Sequence, residues 1–573
     1  MRDHFKINLN RLWCAHIIDE LIKNDIVDFF LCPGMRNAPL ISAVLENEKI
    51  NVHRGMDERA QAYQALGTSK ITGRASVLIC TSGTAVANFY PAIIEASLTG
   101  TPLLVISADR PIELVKSGAN QAIEQRGILT PYVANELHLP PPEEKLAPRA
   151  LRKMIAHLIG EGHIQKRPIH LNVPLREPLD LTPEKMSDDY LKQSEMAFSN
   201  KLPATVTLLP QLSLSQKDQS ILHSRIAEAK HPLVVVGTLA TGKDKSALVE
   251  WIDQSQSPLF LDVTSGLKYR YPVGERALPG FDHPEVLRMI EDEEIDLILH
   301  IGGPVVSKHY YQFLATHPEV EVIHVHDSFL MNDPSFSVDW RIFADPLDII
   351  KSLPTVNGEL KKTLLESSKK LIIDKSKMID DSPLTNPFVS KKLIDLIPNN
   401  SVLAIGNSMS IRSFDSYGSL TTRKDLTIIS NRGASGIEGL VATTIGAAKA
   451  LKKAATLVLG DVSLIHDLNS LSLLNSSPIP VRIIVLNNQG GGIFRLLPIA
   501  KDEKTLEMIE TPHQYEFSSL CEMFKLPYKK IASTSEYQKI CTENVTNSEL
   551  IEVTISNEDN DELYRKLKTI RIS

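Results

Sequence analysis

Two short apolar runs toward the C-terminus place the strongest constraint on the fold of this chain. Residues 456–460 read TLVLG and precede Asp461, and residues 481–487 read VRIIVLN and precede Asn488. Asp461 and Asn488 are 27 residues apart, about the length of one strand-helix-strand unit. In such a unit both parallel strands end at the same edge of the sheet, where α/β proteins bind ligands. The stretch therefore predicts a parallel α/β sheet with a binding site at that edge.

The residue types at this edge favour a site for a metal ion and a diphosphate. Magnesium prefers hard oxygen ligands and completes its shell with phosphate oxygens and water. Asp461 and Asn488 offer two such oxygens, and the carbonyl of Gly490 offers a third. The glycines at 490–492 are expected to let the backbone approach a phosphate closely and to present N–H groups at the following turn. The alternative interpretation is a buried α/β unit in which Asp461 only caps the next helix.

The same alternation of strand-like and helical stretches runs through the chain and predicts an α/β fold of three doubly wound domains with parallel sheets. A length of 573 residues is too great for one core. We predict domains at 1–182, 209–355 and 386–573, a linker at 183–208 and a connector at 356–385. The predicted strands are 27–32, 75–80, 103–107, 168–173, 233–236, 259–263, 297–301, 322–325, 401–405 and 426–430, besides the two runs above. Helices are predicted at 13–22, 85–97, 359–378 and 436–451, and 183–200 is predicted to be aperiodic.

Composition argues against several classes of partner. The formal charge is −7 and no basic patch is visible, so nucleic acid is not expected. The five cysteines are scattered, with no C-x-x-C pair, which is typical of a protein of the reducing cytoplasm. Residues 1–10 are polar and no apolar run has the length of a membrane span, so neither a signal peptide nor a span is predicted.

A second phosphate-binding pattern follows the strand predicted at 233–236. Gly237, Gly242 and Lys243 have the spacing of a phosphate loop, but Asp244 stands where a hydroxyl residue should bind magnesium. A carboxylate beside nucleotide phosphates is repulsive unless a metal intervenes. We therefore predict an ordinary strand-to-helix turn here.

The sequence from Gly460 to Asn488 resembles the thiamine-diphosphate motif, in which Gly-Asp is followed some two dozen residues later by Asn-Asn. Thiamine chemistry also needs a carboxylic acid that hydrogen-bonds the aminopyrimidine ring, so that the cofactor can remove its own thiazolium proton. Glu58, at a predicted strand-to-helix junction in the first domain, is the candidate. The alternative is that Asp57 and Glu58 only occupy a helix N-terminus, where the dipole favours acids.

Eight motifs together resemble one family, the 2-succinyl-5-enolpyruvyl-6-hydroxy-3-cyclohexene-1-carboxylate (SEPHCHC) synthases of menaquinone biosynthesis. They are 33–40 (PGMRNAPL), 57–59 (DER), 81–88 (TSGTAVAN), 108–111 (ADRP), 118–121 (GANQ), 406–409 (GNSM), 430–437 (SNRGASGI) and 488–494 (NQGGGIF). The resemblance covers the first and third domains nearly end to end and the middle domain weakly. It implies a pyrimidine-binding domain at 1–182, a central domain at 209–355 and a diphosphate- and magnesium-binding domain at 386–573.

The resemblance also implies a role for each matching residue. Thiamine diphosphate and Mg²⁺, with Mn²⁺ as the alternative ion, are the implied cofactors. The implied catalytic residues are Glu58, Gln121, Ser408, Arg412 and Arg432, and the implied substrate-binding residues are Arg36, Arg110, Asn120, Lys308 and Phe494. The implied cofactor-binding residues are Glu58, Ile437, Gly460, Ser463, Gly491 and Ile493, with Asp461, Asn488 and the Gly490 carbonyl as metal ligands. Ile437 would be the apolar prop that bends the cofactor.

The implied reaction couples 2-oxoglutarate, after loss of carbon dioxide, to isochorismate in a Stetter-like 1,4-addition. Both substrates are dicarboxylates, and the planar fork of arginine binds carboxylates bidentately, which fits the arginines at 36, 110, 412 and 432. The chain departs from the usual family pattern at Met35 and Asn37, which remove two hydroxyl donors, and at His309. These departures concern substrate affinity or the identity of the acceptor.

Two other interpretations stay open on the sequence alone. One is a different thiamine enzyme of the same architecture, such as an acetohydroxyacid synthase or a 2-oxoacid decarboxylase. The other is a non-catalytic relative that serves as a binding or assembly subunit, although Glu58, Asp461 and Asn488 are all present. The family resemblance further implies a homo-oligomer, in which Glu58 and Asp461 of different subunits share one active site, and a dimer of dimers.

Overall fold

Three parallel sheets make up the framework of the protein, so the predicted α/β class is confirmed. The computed structural model describes residues 3–209, 212–358, 362–417 and 426–572. The chain divides into two units: the first comprises Met1–Pro210, Asn431–Leu451 and Asp467–Ser477, and the second comprises Gln211–Ser430, Lys452–His466 and Pro478–Ser573. The first unit contains one sheet and the second contains two.

Strands and helices are numbered along the chain. The sheet of the first unit has the order β2-β1-β3-β4-β6-β5 and consists of β1 (Asp28–Leu31), β2 (Asn51–Arg54), β3 (Ser76–Cys80), β4 (Leu103–Asp109), β5 (Glu136–His138) and β6 (Ile169–Pro174). The central sheet of the second unit has the order β11-β10-β9-β7-β8 and consists of β7 (Pro232–Val236), β8 (Leu259–Leu261), β9 (Leu297–Ile301), β10 (Glu321–Val325) and β11 (Trp340–Ile342). Its C-terminal sheet has the order β13-β12-β14-β15-β17-β16 and consists of β12 (Val402–Ile405), β13 (Thr427–Ile429), β14 (Ala455–Gly460), β15 (Val481–Asn487), β16 (Tyr528–Ile531) and β17 (Glu549–Thr554).

The helices of the first unit are α1 (Leu9–Lys23), α2 (Ala38–Leu45), α3 (Glu58–Thr72), α4 (Thr84–Asn88), α5 (Tyr90–Thr99), α6 (Pro148–Gln165), α7 (Asp188–Ser199) and, from the distant C-terminal segment, α16 (Leu440–Leu451). The helices of the second unit are α8 (Gln216–Glu228), α9 (Ser246–Gln254), α10 (Pro284–Asp292), α11 (Lys308–Thr316), α12 (Pro346–Ile349), α13 (Lys362–Asp380), α14 (Asn386–Leu396), α15 (Met409–Ser416), α17 (Asp461–His466), α18 (Glu503–Glu510), α19 (Phe517–Phe524), α20 (Thr534–Thr542) and α21 (Asn557–Lys568). Strands joined by helices in this way give parallel pairing throughout.

The apolar runs become strands because helices cover both faces of each sheet. All residues of β4 and β15 are buried, which is why these strands read as nearly continuous apolar runs and not as an alternating pattern. The pairing of β14 with β15 extends from Ala455 opposite Val481 to Gly460 opposite Leu486, so the two strands end together. This register confirms that the residues following them share one edge of the sheet.

The predicted strands agree with the observed ones to within one or two residues at each end. The predictions omitted β2, β5, β11, β16 and β17, which are mostly short or polar edge strands. The helix predicted at 85–97 is divided into α4 and α5. The helix predicted at 436–451 begins at Leu440, because Gly439 adopts φ +71° and packs against the ring of Tyr63. Residues 359–361 of the helical connector lie outside the described residues, and α13 forms the rest.

The expectation that residues 183–200 lack periodic structure is wrong. Ser187 caps α7 by accepting a hydrogen bond from the N–H of Tyr190, and the side chains of Tyr190 and Phe198 pack on the core of the first unit. The ring of Phe198 stacks on His16 at 4.4 Å between centroids, and the central carbon of the Arg152 guanidinium lies 4.8 Å from the centroid of the same Phe198 ring. Charged residues on the exposed face of α7 hide this short apolar stripe in the sequence. The domain boundaries themselves remain a prediction.

Among the described residues, none of the helices combines the length and the apolar character that crossing a lipid bilayer requires.

Candidate active site

Asp461 and Asn488 lie at the carboxyl ends of the neighbouring strands β14 and β15. Asp461 is buried and begins the short helix α17. Its Oδ1 accepts a hydrogen bond of 2.7 Å from the N–H of Val462, and its Oδ2 accepts one of 3.0 Å from the N–H of Gly490. Burial raises the pKa of Asp461, and these two N–H groups act in the opposite direction. Asp461 thus does start a helix, as the alternative interpretation expected, but it also contacts the glycine loop.

Asn488 is held by a reciprocal contact with Asn557 at the start of α21. The Asn488 amide nitrogen donates to Oδ1 of Asn557 at 2.9 Å, and the Asn557 amide nitrogen donates to the Asn488 carbonyl at 3.0 Å. Because the nitrogen of the Asn488 amide is used in this way, its oxygen is the atom left for a cation. Gln489, the next residue, adopts φ +62° and turns the chain toward Asp461.

The glycine loop forms a tight turn after β15. The N–H groups of all three glycines already donate within the chain: Gly490 to Asp461, Gly491 to the Glu510 carbonyl at 2.7 Å, and Gly492 to the Gly490 carbonyl at 3.0 Å. The tight turn uses these N–H groups in this structure, and the close approach of a phosphate to the loop stays a prediction. Glycine is still required at 490, where φ is +149° and a β-carbon would lie 2.8 Å from the Glu510 carbonyl oxygen.

The residues at this edge fit a hard divalent cation. Asp461 supplies a buried carboxylate, Asn488 an amide oxygen, and Gly490 a carbonyl oxygen with one lone pair beyond its bond to Gly492. No group of three His, Cys, Asp or Glu side chains among the described residues forms a metal-binding cluster, so an ion here depends on amide and carbonyl oxygens. Open space adjoins Gly460, where a β-carbon would lie more than 4 Å from every atom in the part of the chain that the structure describes. Ser463 lies one turn further along and is buried.

Two further predicted residues, Ser408 and Arg412, come to the same edge of the C-terminal sheet from β12. Ser408 precedes α15 and adopts φ +63° and ψ −129°, a conformation that is costly for a residue other than glycine. The Arg412 guanidinium donates from Nη1 to the Ser408 carbonyl at 2.7 Å, which fixes both residues. The ring of Phe494, in the segment after the glycine loop, lies close to Gly491: a β-carbon there would be 3.0 Å from it. Ile493 lies in the same 3₁₀ turn.

Lys308 belongs to the part of the second unit that surrounds the central sheet. It is the first residue of α11 and is exposed. The helix dipole disfavours a cation at a helix N-terminus, so Lys308 does not serve to stabilise α11. The neighbouring His309 donates from Nδ1 to Oδ1 of Asp282 at 2.8 Å. Burial alone would raise the pKa of Asp282, but hydrogen bonds from His309 and Ser307 lower it to about 2. His309 therefore has a structural partner in this unit.

The structure places Glu58 at the carboxyl edge of the first unit's sheet. It is the first residue of α3, directly after the Asp57 cap, and its Oε2 accepts a 3.3 Å hydrogen bond from Asn88. Burial and then the Glu58 charge raise the pKa of the Cys32 thiol, which follows β1. Burial, then Cys32 and then the Glu58 charge raise the pKa of the Cys80 thiol, which ends β3. Glu58 thus faces the strand ends, whereas Asp57 performs the capping that the alternative interpretation assigned to both acids.

Arg36 and Arg110 form a pair of neighbouring cations in the first unit. Arg36 is buried, donates to the Leu175 carbonyl at 2.7 Å and lies 3.1 Å from Glu177. Burial and then the Arg110 charge lower the pKa of Arg36, and its buried Nε has no hydrogen-bond partner among the described residues. Arg110 donates from Nε to the Asn120 carbonyl at 3.1 Å. The next residue, Gln121, adopts φ +54°.

Two residues beside Arg36, Met35 and Asn37, depart from the usual family pattern. Asn37 has a structural role, since it is fully buried and donates to the Cys32 carbonyl at 2.9 Å. Met35 is 62% exposed.

Arg432 and Ile437 lie on a loop that the first unit holds firmly. The buried carboxylate of Glu95 accepts hydrogen bonds from the N–H groups of Gly433 at 3.0 Å and Ala434 at 2.7 Å. Lys70, also buried, donates to Glu95 at 3.2 Å and to Asn431 at 2.9 Å. Arg432 and Ile437 are both half-buried. The anchoring of the loop by Glu95 is not visible in the sequence, because the two segments are far apart along the chain.

The phosphate-loop-like segment after β7 does not form a phosphate site. The Lys243 ammonium pairs with the Asp345 carboxylate, and Asp244 accepts a 3.0 Å hydrogen bond from the N–H of Ser246. Both charged groups are thus used within the turn and at the start of α9.

One polar residue at the metal edge escaped the sequence analysis. Nε2 of His513 lies 3.2 Å from Oδ2 of Asp461, and the His513 side chain is only 7% exposed. No spacing rule connects a histidine 52 positions after Asp461 with the metal motif, so only the fold reveals it.

Comparison with known proteins places these residues in context. Residues 14–128 match the family model described as thiamine pyrophosphate enzyme, N-terminal TPP binding domain. The chain is 36% identical to the SEPHCHC synthase of Syntrophus aciditrophicus over 99% of both chains. It is 32% identical to the enzyme of the same name from Chlorobium phaeovibrioides, over 98% of this chain and 97% of that protein. The SEPHCHC synthase of Pelodictyon phaeoclathratiforme is 34% identical, over 93% of this chain and 90% of that protein.

Proposed function

Since this chain belongs to the SEPHCHC synthase family, we propose that it transfers the four-carbon unit left by decarboxylation of 2-oxoglutarate to isochorismate in a 1,4-addition. The products are SEPHCHC and carbon dioxide, and the reaction belongs to menaquinone biosynthesis. The observation that carries the proposal is the meeting of Asp461 and Asn488 at the paired ends of β14 and β15. This arrangement supports the metal-dependent cofactor site that such a reaction needs.

The cofactor proposed for the reaction is thiamine diphosphate with Mg²⁺, or with Mn²⁺ in its place. When bound, thiamine diphosphate supplies the electron sink that decarboxylation of a 2-oxoacid requires. Asp461, Asn488 and the Gly490 carbonyl would hold the cation, with Gly460, Ser463, Gly491 and Ile493 beside the diphosphate and Ile437 as an apolar support. Glu58 would hydrogen-bond the pyrimidine ring and thereby promote the loss of a proton that starts the chemistry.

Recognition of the substrates is assigned to the cationic loops. The Arg36 and Arg110 pair is suited to a carboxylate, because the exposed Glu177 pairs with only one end of the Arg36 guanidinium and the buried Nε–H has no hydrogen-bond partner among the described residues. Arg412, Arg432 and Lys308 add further positive charge, and Ser408, Asn120, Gln121 and Phe494 complete the proposed set. A dicarboxylate such as 2-oxoglutarate fits these charges better than pyruvate does.

We further propose a homo-oligomer, at least a dimer and with pairs of dimers expected, in the cytoplasm. Sedimentation of the purified protein with and without cofactor measures the oligomeric state directly. A monomer that turns over both substrates at the full rate would contradict this part of the proposal.

The proposed activity is tested by a product assay. Purified protein with thiamine diphosphate and Mg²⁺ is incubated with 2-oxoglutarate plus isochorismate, and in parallel with pyruvate alone, and products are identified by mass. We expect SEPHCHC from the first mixture and little turnover of pyruvate. Acetolactate or acetaldehyde from the second mixture would instead indicate the acetohydroxyacid synthase or decarboxylase alternative. Failure to bind the cofactor at all would favour the non-catalytic relative.

A further inference from the structure

His513 is the strongest unassigned feature of the second unit. Its imidazole is largely buried, and Nε2, which lies 3.2 Å from Oδ2 of Asp461, has no hydrogen-bond partner of acceptable geometry among the described residues. A buried polar nitrogen without a partner costs free energy, so such an atom needs an explanation. Here it is directed at the carboxylate that we assign to the metal.

The surroundings of His513 determine which ring nitrogen carries the proton. Nδ1 accepts a hydrogen bond of 3.3 Å from the N–H of Tyr515. In a neutral imidazole only one nitrogen accepts, so the other, Nε2, carries the hydrogen and can donate. The donor that results faces an acceptor-only group, the Asp461 carboxylate. The distance between the two atoms already suits a hydrogen bond, and only its angle is unfavourable. A small rotation of the carboxylate would correct the angle.

The His513 ring is also held in place. It stacks on Tyr515 at 5.2 Å between centroids and meets the edge of Phe517 at 6.4 Å. The backbone N–H of His513 donates to the Gln489 carbonyl at 3.3 Å, which ties its segment to the glycine loop. A fixed donor can orient a flexible carboxylate, whereas a mobile one cannot.

We propose that His513 is a positioning residue of the metal site, whose Nε2–H donates to Oδ2 of Asp461 and holds the carboxylate ready for a divalent cation. With Oδ2 turned to His513 and Gly490, Oδ1, which accepts one hydrogen bond from the N–H of Val462, keeps a lone pair that could bind the ion. No proton is transferred, and His513 itself does not touch the ion. Residues that orient a ligand in this way commonly change metal affinity by roughly 10- to 100-fold. The inference rests on the proposed metal- and cofactor-binding function.

The test uses two substitutions that separate the two ring nitrogens. His513→Asn keeps an acceptor near the Nδ1 position for Tyr515 but removes the donor at Nε2. His513→Gln carries an amide that reaches the Nε2 position and can donate. Uptake of thiamine diphosphate by the full chain is followed calorimetrically as Mg²⁺ is varied. His157→Asn, on the exposed face of α6, is the matched control.

We expect His513→Asn to raise the Mg²⁺ concentration for half-maximal uptake by about 10-fold or more, and His513→Gln to stay within about threefold of the wild type. The unfolding midpoint without cofactor should be the same for both variants, which a merely structural role would not predict. Equal Mg²⁺ requirements for the wild type and His513→Asn would overturn the inference. Absence of uptake by the wild type itself would instead overturn the proposed function.

Discussion

Gly67 of α3 lies against the backbone of Thr443 in α16, so closely that a β-carbon at Gly67 would be 2.0 Å from the Thr443 carbonyl oxygen. The same close approach recurs one turn along, this time from a glycine of α16 to the backbone of α3. A β-carbon at Gly446 would lie 2.0 Å from the Gln64 carbonyl oxygen. Two helices that are almost four hundred positions apart in sequence thus pack backbone to backbone within the first unit. This packing fixes α16 and the loop before it, which carries Arg432 and Ile437.

We predict that Gly67→Ala destabilises the protein by about 3 kcal/mol or more, because backbone cannot yield as a side chain does when a site is overpacked. Gly73→Ala on the same helix is the control. Its added β-carbon would meet no atom of the described residues within 4 Å, and only the left-handed φ of +66° should cost it about 1 kcal/mol. Urea unfolding followed by circular dichroism measures both. A Gly67→Ala variant as stable as Gly73→Ala would contradict the packing.

Substitution of Glu58 by glutamine should slow turnover about 10²-fold or more, since the carboxylic acid that assists proton removal is lost. The amide is nearly isosteric and keeps the Asp57 cap of α3 intact. Glu48→Gln, in the exposed turn before β2, is the matched control and should leave the rate unchanged. Single-turnover decarboxylation of 2-oxoglutarate gives the rate free of product release. Near-wild-type turnover by Glu58→Gln would mean that another group activates the cofactor.

The Asp461→Ala variant is expected to lose Mg²⁺-dependent uptake of thiamine diphosphate, because the charged ligand of the ion is removed. Calorimetric titration measures the loss directly. The control is Asp502→Asn, whose carboxylate only caps α18 at the surface. If Asp461→Ala still took up the cofactor with the Mg²⁺ requirement of the wild type, the ion would have to lie elsewhere.

The protein should become less stable at low pH because of His283, which is buried at the start of α10. Its Nε2 contacts the Leu567 carbonyl at 2.8 Å while Nδ1 accepts from the N–H of Glu285 at 3.2 Å, so both nitrogens of the neutral ring are in use. Burial, and then the charge of Lys375, lower its pKa to about 4; Glu285 and Arg571 also lie nearby. The unfolded pKa is roughly 6.5, so between these values only the unfolded state binds the proton.

The free energy of unfolding should therefore fall as the pH drops from 6.5 toward 4. Protonation of His283 in the unfolded state should account for a loss on the order of 1 kcal/mol at pH 5. Burial also lowers the pKa of other histidines, such as His16 and His300. In His283→Asn, which keeps a cap for α10, the loss between pH 7 and pH 5 should be smaller. His223→Gln, exposed on α8, should behave as the wild type does. Equal pH dependence for His283→Asn and the wild type would refute the assignment.

The sequence determined the strand-helix alternation, the class of fold and the positions of Asp461, Asn488 and Glu58. It could do so because buried parallel strands must be continuously apolar and because strand ends carry the polar residues that face ligands. These are local patterns, readable within some thirty residues. The short edge strands β5 and β11 and the helix α7 were missed, since their apolar character is too brief to stand out from their charged neighbours.

Only the tertiary structure decided which distant groups meet. It brought His513 to Asp461, Glu95 to the loop of Arg432, and the backbone of α3 to that of α16. It also showed that the three glycine N–H groups bond within the chain, which the spacing could not reveal. The physical reason is that hydrogen bonds and close packing depend on distance in space, and separation along the chain does not specify that distance.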